Sequence, residues 1–281
     1  MNLPKIASIS KKIVVALAGL FLALFLLVHM GINLCLVRPD DGQWFLAASD
    51  FMGSNYVVKV FEIVLFTAVF VHIALNVVLY FQNRKARPVR YKRPSKTKTS
   101  STSRLMMLSG ILIFLFLIVH FFNFFFVKLG WSEGKYMVRV EKLQDRIVQA
   151  SMNGEEESLT AKFQQFESNI TDIESHFSKD GKWIYNLTSD EIAPLKNDIK
   201  FKADFYHVAA DLFAQPLYCI FYLLMFIVLG IHLTHAIPSA FQTLGLNHNK
   251  YNGFIKWFTW GYVAVIVLGF SAIPLYFWIF I

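Results

Sequence analysis

Polar and apolar residues are segregated into blocks along this chain. Five stretches, at about 13–36, 57–81, 105–128, 212–237 and 254–281, are apolar throughout and almost free of charge. A helix rises about 1.5 Å per residue, so roughly 20 such residues cross about 30 Å of hydrocarbon. Each block is long enough to do so. Between the third and fourth blocks the pattern changes. Leu159, Phe163, Phe166, Ile170, Ile173 and Phe177 recur at spacings of three and four residues, Val140, Leu143 and Ile147 form a similar stripe upstream, and Asn153-Gly154 lies between them. That pattern predicts two amphipathic helices joined by a turn. The chain thus divides into 1–131, carrying three spans, 132–206, a polar insertion read as an antiparallel helical hairpin, and 207–281, carrying two more. The fold class is all-α, a polytopic membrane bundle of five helices with a helical insertion.

Composition agrees. Of 281 residues, 56% are hydrophobic, and the mean hydropathy is +0.47. That is too apolar for a water-soluble domain of this length. Lys5, Lys11 and Lys12 precede the first block as they would a signal sequence, but the block outlasts an h-region and no cleavage pattern follows, so it reads as a retained span. Cys35 and Cys219 lie on different spans and predict neither a disulfide framework nor a thiolate metal site.

Charge fixes the expected orientation. The segment before span 1, the linker 82–104, the loop between spans 4 and 5 with Lys250, and the first turn of span 5 with Lys256 carry 14 Lys and Arg and no acid, whereas 132–206 holds 14 of the 19 acidic residues. By the positive-inside rule the basic loops face the cytoplasm, with the N-terminus inside and the C-terminus outside. The insertion is then extracytoplasmic. The net charge of +8 reflects topology, so nucleic-acid binding is not expected. The linker 82–104, rich in Pro, Ser and Thr, reads as extended chain against lipid headgroups. Trp257, Trp260, Tyr276 and Trp278 fit the interfacial aromatic belts at the ends of span 5, Pro216 opens span 4, and Pro238 is expected just beyond its inner end.

The candidate chemistry is a repeat. Gly19–His29 reads GLFLALFLLVH and Gly110–His120 reads GILIFLFLIVH; Phe61–His72 reads FEIVLFTAVFVH and Phe221–His232 reads FYLLMFIVLGIH. Each is an apolar run closing on one histidine, as in a duplicated helix pair. Spans 1 and 3 run outward and spans 2 and 4 inward. His29 and His120 therefore fall in the outer half of the bilayer, and His72 and His232 in the inner half. Ionisable groups at that depth face the bundle interior with a purpose. Two imidazoles on facing helices can grip a haem iron from both sides, and Gly19, Gly110 and Gly230 would let helices or a porphyrin approach closely. Histidines hydrogen-bonded between helices, in a structural anchor or in a haem-free proton-coupled transporter, are the competing readings.

Other polar groups carry lesser expectations. His235 reads as a neighbour of the inner haem. His207, His176 and His248 read as solvated. Glu62, the one carboxylate well inside a span, could protonate a quinone; Asp50 and Asp211 are interfacial. Ser8, Lys11, Lys12, Arg104, Ser239 and Gln242 edge the inner layer as candidate propionate or headgroup contacts. Asn169 and Asn186 match the glycosylation pattern by chance.

The stretches LFLLVHMGIN around His29, FLIVHFFN around His120, the span around His72, and HLTHAIPSAFQTLGLNHNKY from His232 resemble the single-chain, five-helix dihaem cytochrome b anchor of succinate dehydrogenases and fumarate reductases. The likeness covers all five spans and is most specific at Ser239–Asn247, SAFQTLGLN. It implies two haem b groups, ligated by His29 with His120 and by His72 with His232. It also implies electron exchange with a membrane quinone, often menaquinone, in a bacterial inner membrane. The implied partners are a flavoprotein with covalent FAD and an iron–sulfur protein on the cytoplasmic face, which interconvert succinate and fumarate; pairing of such complexes into dimers is left open. The insertion 132–206 departs from the family pattern.

Overall fold

The computed structural model describes residues 8–40, 42–86 and 101–281. The elements run α1 (Ser8–Asn33), α2 (Gln43–Ser54), α3 (Tyr56–Lys85), α4 (Ser101–His120), α5 (Phe126–Leu129), β1 (Tyr136–Arg139), α6 (Val140–Asn153), α7 (Glu156–Asn169), β2 (Trp183–Leu187), α8 (Ser189–Ile192), β3 (Lys202–Ala203), α9 (Phe205–Phe213), α10 (Pro216–Thr243) and α11 (Asn249–Phe280). Among the described residues, five helical stretches are long and apolar enough to cross a membrane: Ile9–Val37, Tyr56–Lys85, Leu105–Leu129, Pro216–Thr243 and Asn249–Phe280. At most 33% of the most apolar window of any of them is buried inside the protein. Leu24, Phe61, Ile63, Phe70, Leu217 and Leu268 are among the large side chains left bare. So continuous an apolar surface requires a lipid solvent, and the chain is a multi-pass helical membrane protein. The basic linker lies for the most part outside the described residues, as do Lys5 and Asp41.

Two compact units emerge. One runs to Phe114 and resumes at Leu217–Phe280; the other is Leu115–Pro216. In the first unit α1 packs along α3 and against α11. Gly269 on α11 leaves room for the Met30 side chain of α1, and the Tyr262 hydroxyl donates to the Ala23 carbonyl. Gly230 on α10 meets Val267 of α11, whose methyl carbon would lie 2.9 Å from any added Cβ. Small residues thus set the helix separations, as packing among lipid tails demands. Pro216 opens α10 as expected. Pro238, however, lies inside that helix. Its missing N–H removes only one bond near the helix end, and the helix continues until Gly245, at φ +76°, turns the chain out of it.

The second unit contains the expected hairpin: α6 and α7 meet at Gly154, which adopts φ +72°. Leu143, Ala150, Leu159 and Phe166 are buried between them and their neighbours. Two details differ from the periodic reading. Ile147 is 47% exposed, its place on the buried stripe being taken by Ala150, and α7 ends at Asn169, so that Ile173 and Phe177 lie beyond it. A small antiparallel sheet, in the order β2-β1-β3, was not expected. Tyr136 pairs with Leu187 on one side and Ala203 on the other, and the β1–β2 register slips between Tyr136 and Val138. Leu187, Ile192 and Leu195 close a core shared by sheet and hairpin.

Candidate functional site

In the first unit the sequence repeat reappears as a crossed contact. The His72 ring of α3 lies on Gly19 of α1, where an added Cβ would stand 3.2 Å from its Cε1. The His232 ring of α10 lies on Gly110 of α4, with the corresponding distance 3.8 Å. The glycine of the first helix in each repeat faces the histidine of the helix that follows it.

Hydrogen bonds differ between the two rings. Ser109, 4% exposed, places its Oγ 3.1 Å from His232 Nδ1 and donates to the Met106 carbonyl at 3.0 Å. With its one proton given to Met106, the hydroxyl receives the proton of Nδ1. This fixes the tautomer and leaves the Nε2 lone pair available. The Nδ1 of His72 is buried with no hydrogen-bond partner among the described residues. An imidazole with one nitrogen anchored and the other unspent suits an iron ligand. The glycines let both rings lie directly against the facing helices. His72 and His232 thus each have a ring nitrogen that a haem iron could take.

His29 belongs to the first unit and His120 to the second. His29 stacks on Phe25 with centroids 5.2 Å apart, faces Phe270, and lies 3.2 Å from Asn33 Nδ2 through its Nε2. His120 is enclosed by Phe116, Phe121 and Phe124. Immediately after it the helix widens into a π turn, Phe121–Phe125, while span 1 tightens into a 3₁₀ turn at Leu34–Val37. Such turns inside helices recur at functional positions.

The remaining expectations sort readily. Glu62 is half-buried on α3 and already engaged in an interaction. His235 is half-buried, and His248 is exposed in the loop. His176 donates from Nδ1 to the Asp172 carbonyl at 2.8 Å and lies beside the Ser175 hydroxyl. Asp50 is half-buried, and Asp211 pairs with Lys135 at 3.5 Å. Lys11 reaches Gln82 at 3.4 Å, tying the ends of α1 and α3. Lys12 and Gln242 are exposed, and Ser239 is half-buried. The side chains of Ser8 and Arg104 lie outside the described residues.

His207 is not the solvated histidine that its position before a span suggested. Its Nδ1 lies 2.7 Å from Oδ2 of Asp204, a carboxylate with no exposure. The sequence signal was there: Asp204 and His207 have the spacing of an N-cap and its third helical residue. Ser109 carried no such signal, because a lone serine in an apolar span shows nothing of the helix it faces.

Compared with known proteins, the chain matches no family model, no curated protein and no solved structure.

Proposed function

We propose that this chain is the dihaem cytochrome b membrane anchor of a succinate:quinone oxidoreductase, carrying electrons between an iron–sulfur partner and a membrane quinone. The observation that carries the reading is the duplicated Gly19–His72 and Gly110–His232 contact, with a free ring nitrogen on each histidine. Haem b, when bound, would supply one-electron transfer and, ligated on both faces, no open position for substrate. His72 and His232 would hold one haem, His232 oriented by Ser109. The second haem is assigned to His29 and His120 on the sequence repeat alone. Dicarboxylate chemistry belongs to a flavoprotein partner that docks with the iron–sulfur protein on the basic, cytoplasmic face of a bacterial inner membrane. Glu62 is a candidate for quinone protonation.

A reduced-minus-oxidised spectrum of the purified assembly, with haem quantification, tests this. Two b haems per chain are expected, falling to one in His72→Ala. A colourless preparation would end the reading in favour of a haem-free transporter or a structural anchor. Glu62→Gln should slow quinone turnover with both haems retained; undiminished turnover would remove Glu62 from the site.

A further inference from the structure

The second unit contains an arrangement around His207 that helix capping alone does not require. Asp204 is the N-cap of α9. One carboxylate oxygen, Oδ1, accepts the His207 backbone N–H at 3.3 Å, which is all that a cap needs. The other, Oδ2, accepts two more bonds: Nδ1–H of His207 at 2.7 Å and the backbone N–H of Asn186 at 2.9 Å. That second N–H is available because β2 bulges against β1 there. Asn186 adopts φ +58°, and among the described residues it is the one non-glycine with positive φ. Its own Oδ1 is buried without a hydrogen-bond partner. Bulges re-aim side chains, and strained backbone collects at functional sites. Here the bulged strand brings Tyr185 flat against the His207 ring, with centroids 5.0 Å and planes 14° apart, while Tyr206 meets the same ring edge-on at 5.1 Å.

The chemical result is an oriented base. A buried carboxylate on Nδ1 fixes the tautomer with the proton there, so Nε2 offers its lone pair. The His207 side chain is 18% exposed, enough to exchange protons with water. The preceding residue pair connects this imidazole to the membrane: Phe205 packs on Phe124, with centroids 6.4 Å apart, and Phe124 packs on His120 at 5.2 Å. An acid–base group held among aromatic rings, close to the π turn that follows His120, suits a flat hydroxylated ring arriving from the lipid.

We propose that His207, oriented by Asp204, is a proton-exchanging group for a quinol hydroxyl on the side of the membrane that carries the insertion. This rests on the cytochrome b reading. Oxidation of one quinol releases two electrons, which leave through the anchor toward the iron–sulfur partner, and two protons. The first O–H bond breaks as its proton forms an N–H bond at His207 Nε2, and the proton then passes to water. The second follows by the same route once Nε2 is free, leaving the quinone. In quinone reduction both transfers reverse. The titratable and charged groups around this ring are Asp204 and Tyr206 of α9 and its cap, Tyr185 of β2, and the Lys135–Asp211 pair, whose Lys135 carbonyl accepts the Asp204 N–H.

The experiment uses the intact complex. In His207→Gln, both haem bands should persist while the rate of electron exchange with a short-chain naphthoquinol drops by about a hundredfold, the usual worth of a positioned base. The pH profile of quinol oxidation should differ between wild type and variant. Asp204→Asn should behave like His207→Gln. Because a clamp variant can fail to fold, the unmodified protein supplies a second readout. Carbethoxylation of His207, mapped by mass spectrometry, should be blocked by a bound hydroxyquinoline N-oxide that occupies quinone sites. Full turnover with an unchanged pH profile in His207→Gln, or modification undiminished by the inhibitor, overturns the assignment and leaves a structural clamp. Absence of haem from the wild-type complex would instead overturn the reading beneath it.

Discussion

At the scale of single residues, the two glycines that face histidines are not equivalent. A Cβ at Gly110 would make ordinary contact at 3.8 Å from the His232 ring, whereas one at Gly19 would meet the His72 ring at 3.2 Å. Gly110→Ala should therefore keep its full haem content, and Gly19→Val should lose the haem held by His72 and His232 while keeping the other. Pyridine haemochrome quantification of the two variants checks this, and equal content in both would refute it. The histidines and glycines were legible in the chain because the repeat places them in register. What they touch was not legible. The partner of Gly19 is a ring 53 positions away, and Ser109 reveals itself only through its contact with His232.

At the scale of elements, the spans were the clearest feature, because a long uncharged run in a polar chain has one physical solution. The hairpin followed from its three- and four-residue spacing. The sheet escaped because β1, β2 and β3 have only four, five and two residues, too short for alternation to stand out. The hairpin's polar side is held by charge. Asp198 lies 2.8 Å from Lys162 and 3.5 Å from Arg146. The hydrogen bond from Lys162, ahead of the Coulombic attraction of both cations, keeps its carboxyl below the usual carboxylate range. Asp180, hydrogen-bonded by Ser178 and Lys182, is lowered to about 2. A depressed carboxyl contributes stability above its unfolded value and loses it as pH falls through its folded one. The second unit should accordingly weaken between about pH 4, the unfolded carboxylate range, and about pH 2, where Asp180 takes up its proton. Asp198→Asn should remove about 1 kcal/mol at neutral pH and flatten the acid limb. Hydrogen exchange of the α6 and α7 amides across that range measures it; identical protection at both ends would contradict it.

At the scale of the whole molecule, the distribution of charge carries a prediction about sidedness. The exposed Ser151 lies at the end of α6, in the acidic insertion, and Ser95 lies in the basic linker. A cysteine at Ser151 should react with a membrane-impermeant maleimide added to whole cells, and one at Ser95 should react only after the membrane is opened. Labelling in the reverse order would invert the topology. The native thiols interfere little, Cys219 being buried and Cys35 half-buried.

The crossed contacts also make the two helix pairs near-equivalents. A helix with a glycine, followed by a helix with a histidine lying on it, occurs twice in one polypeptide, and α11 is the fifth span, outside that repeat. The equivalence stops at a hydroxyl: among the described residues, only the second pair sets a serine, Ser109, against its histidine ring. Alike in plan, the two pairs need not respond alike to the same substitution.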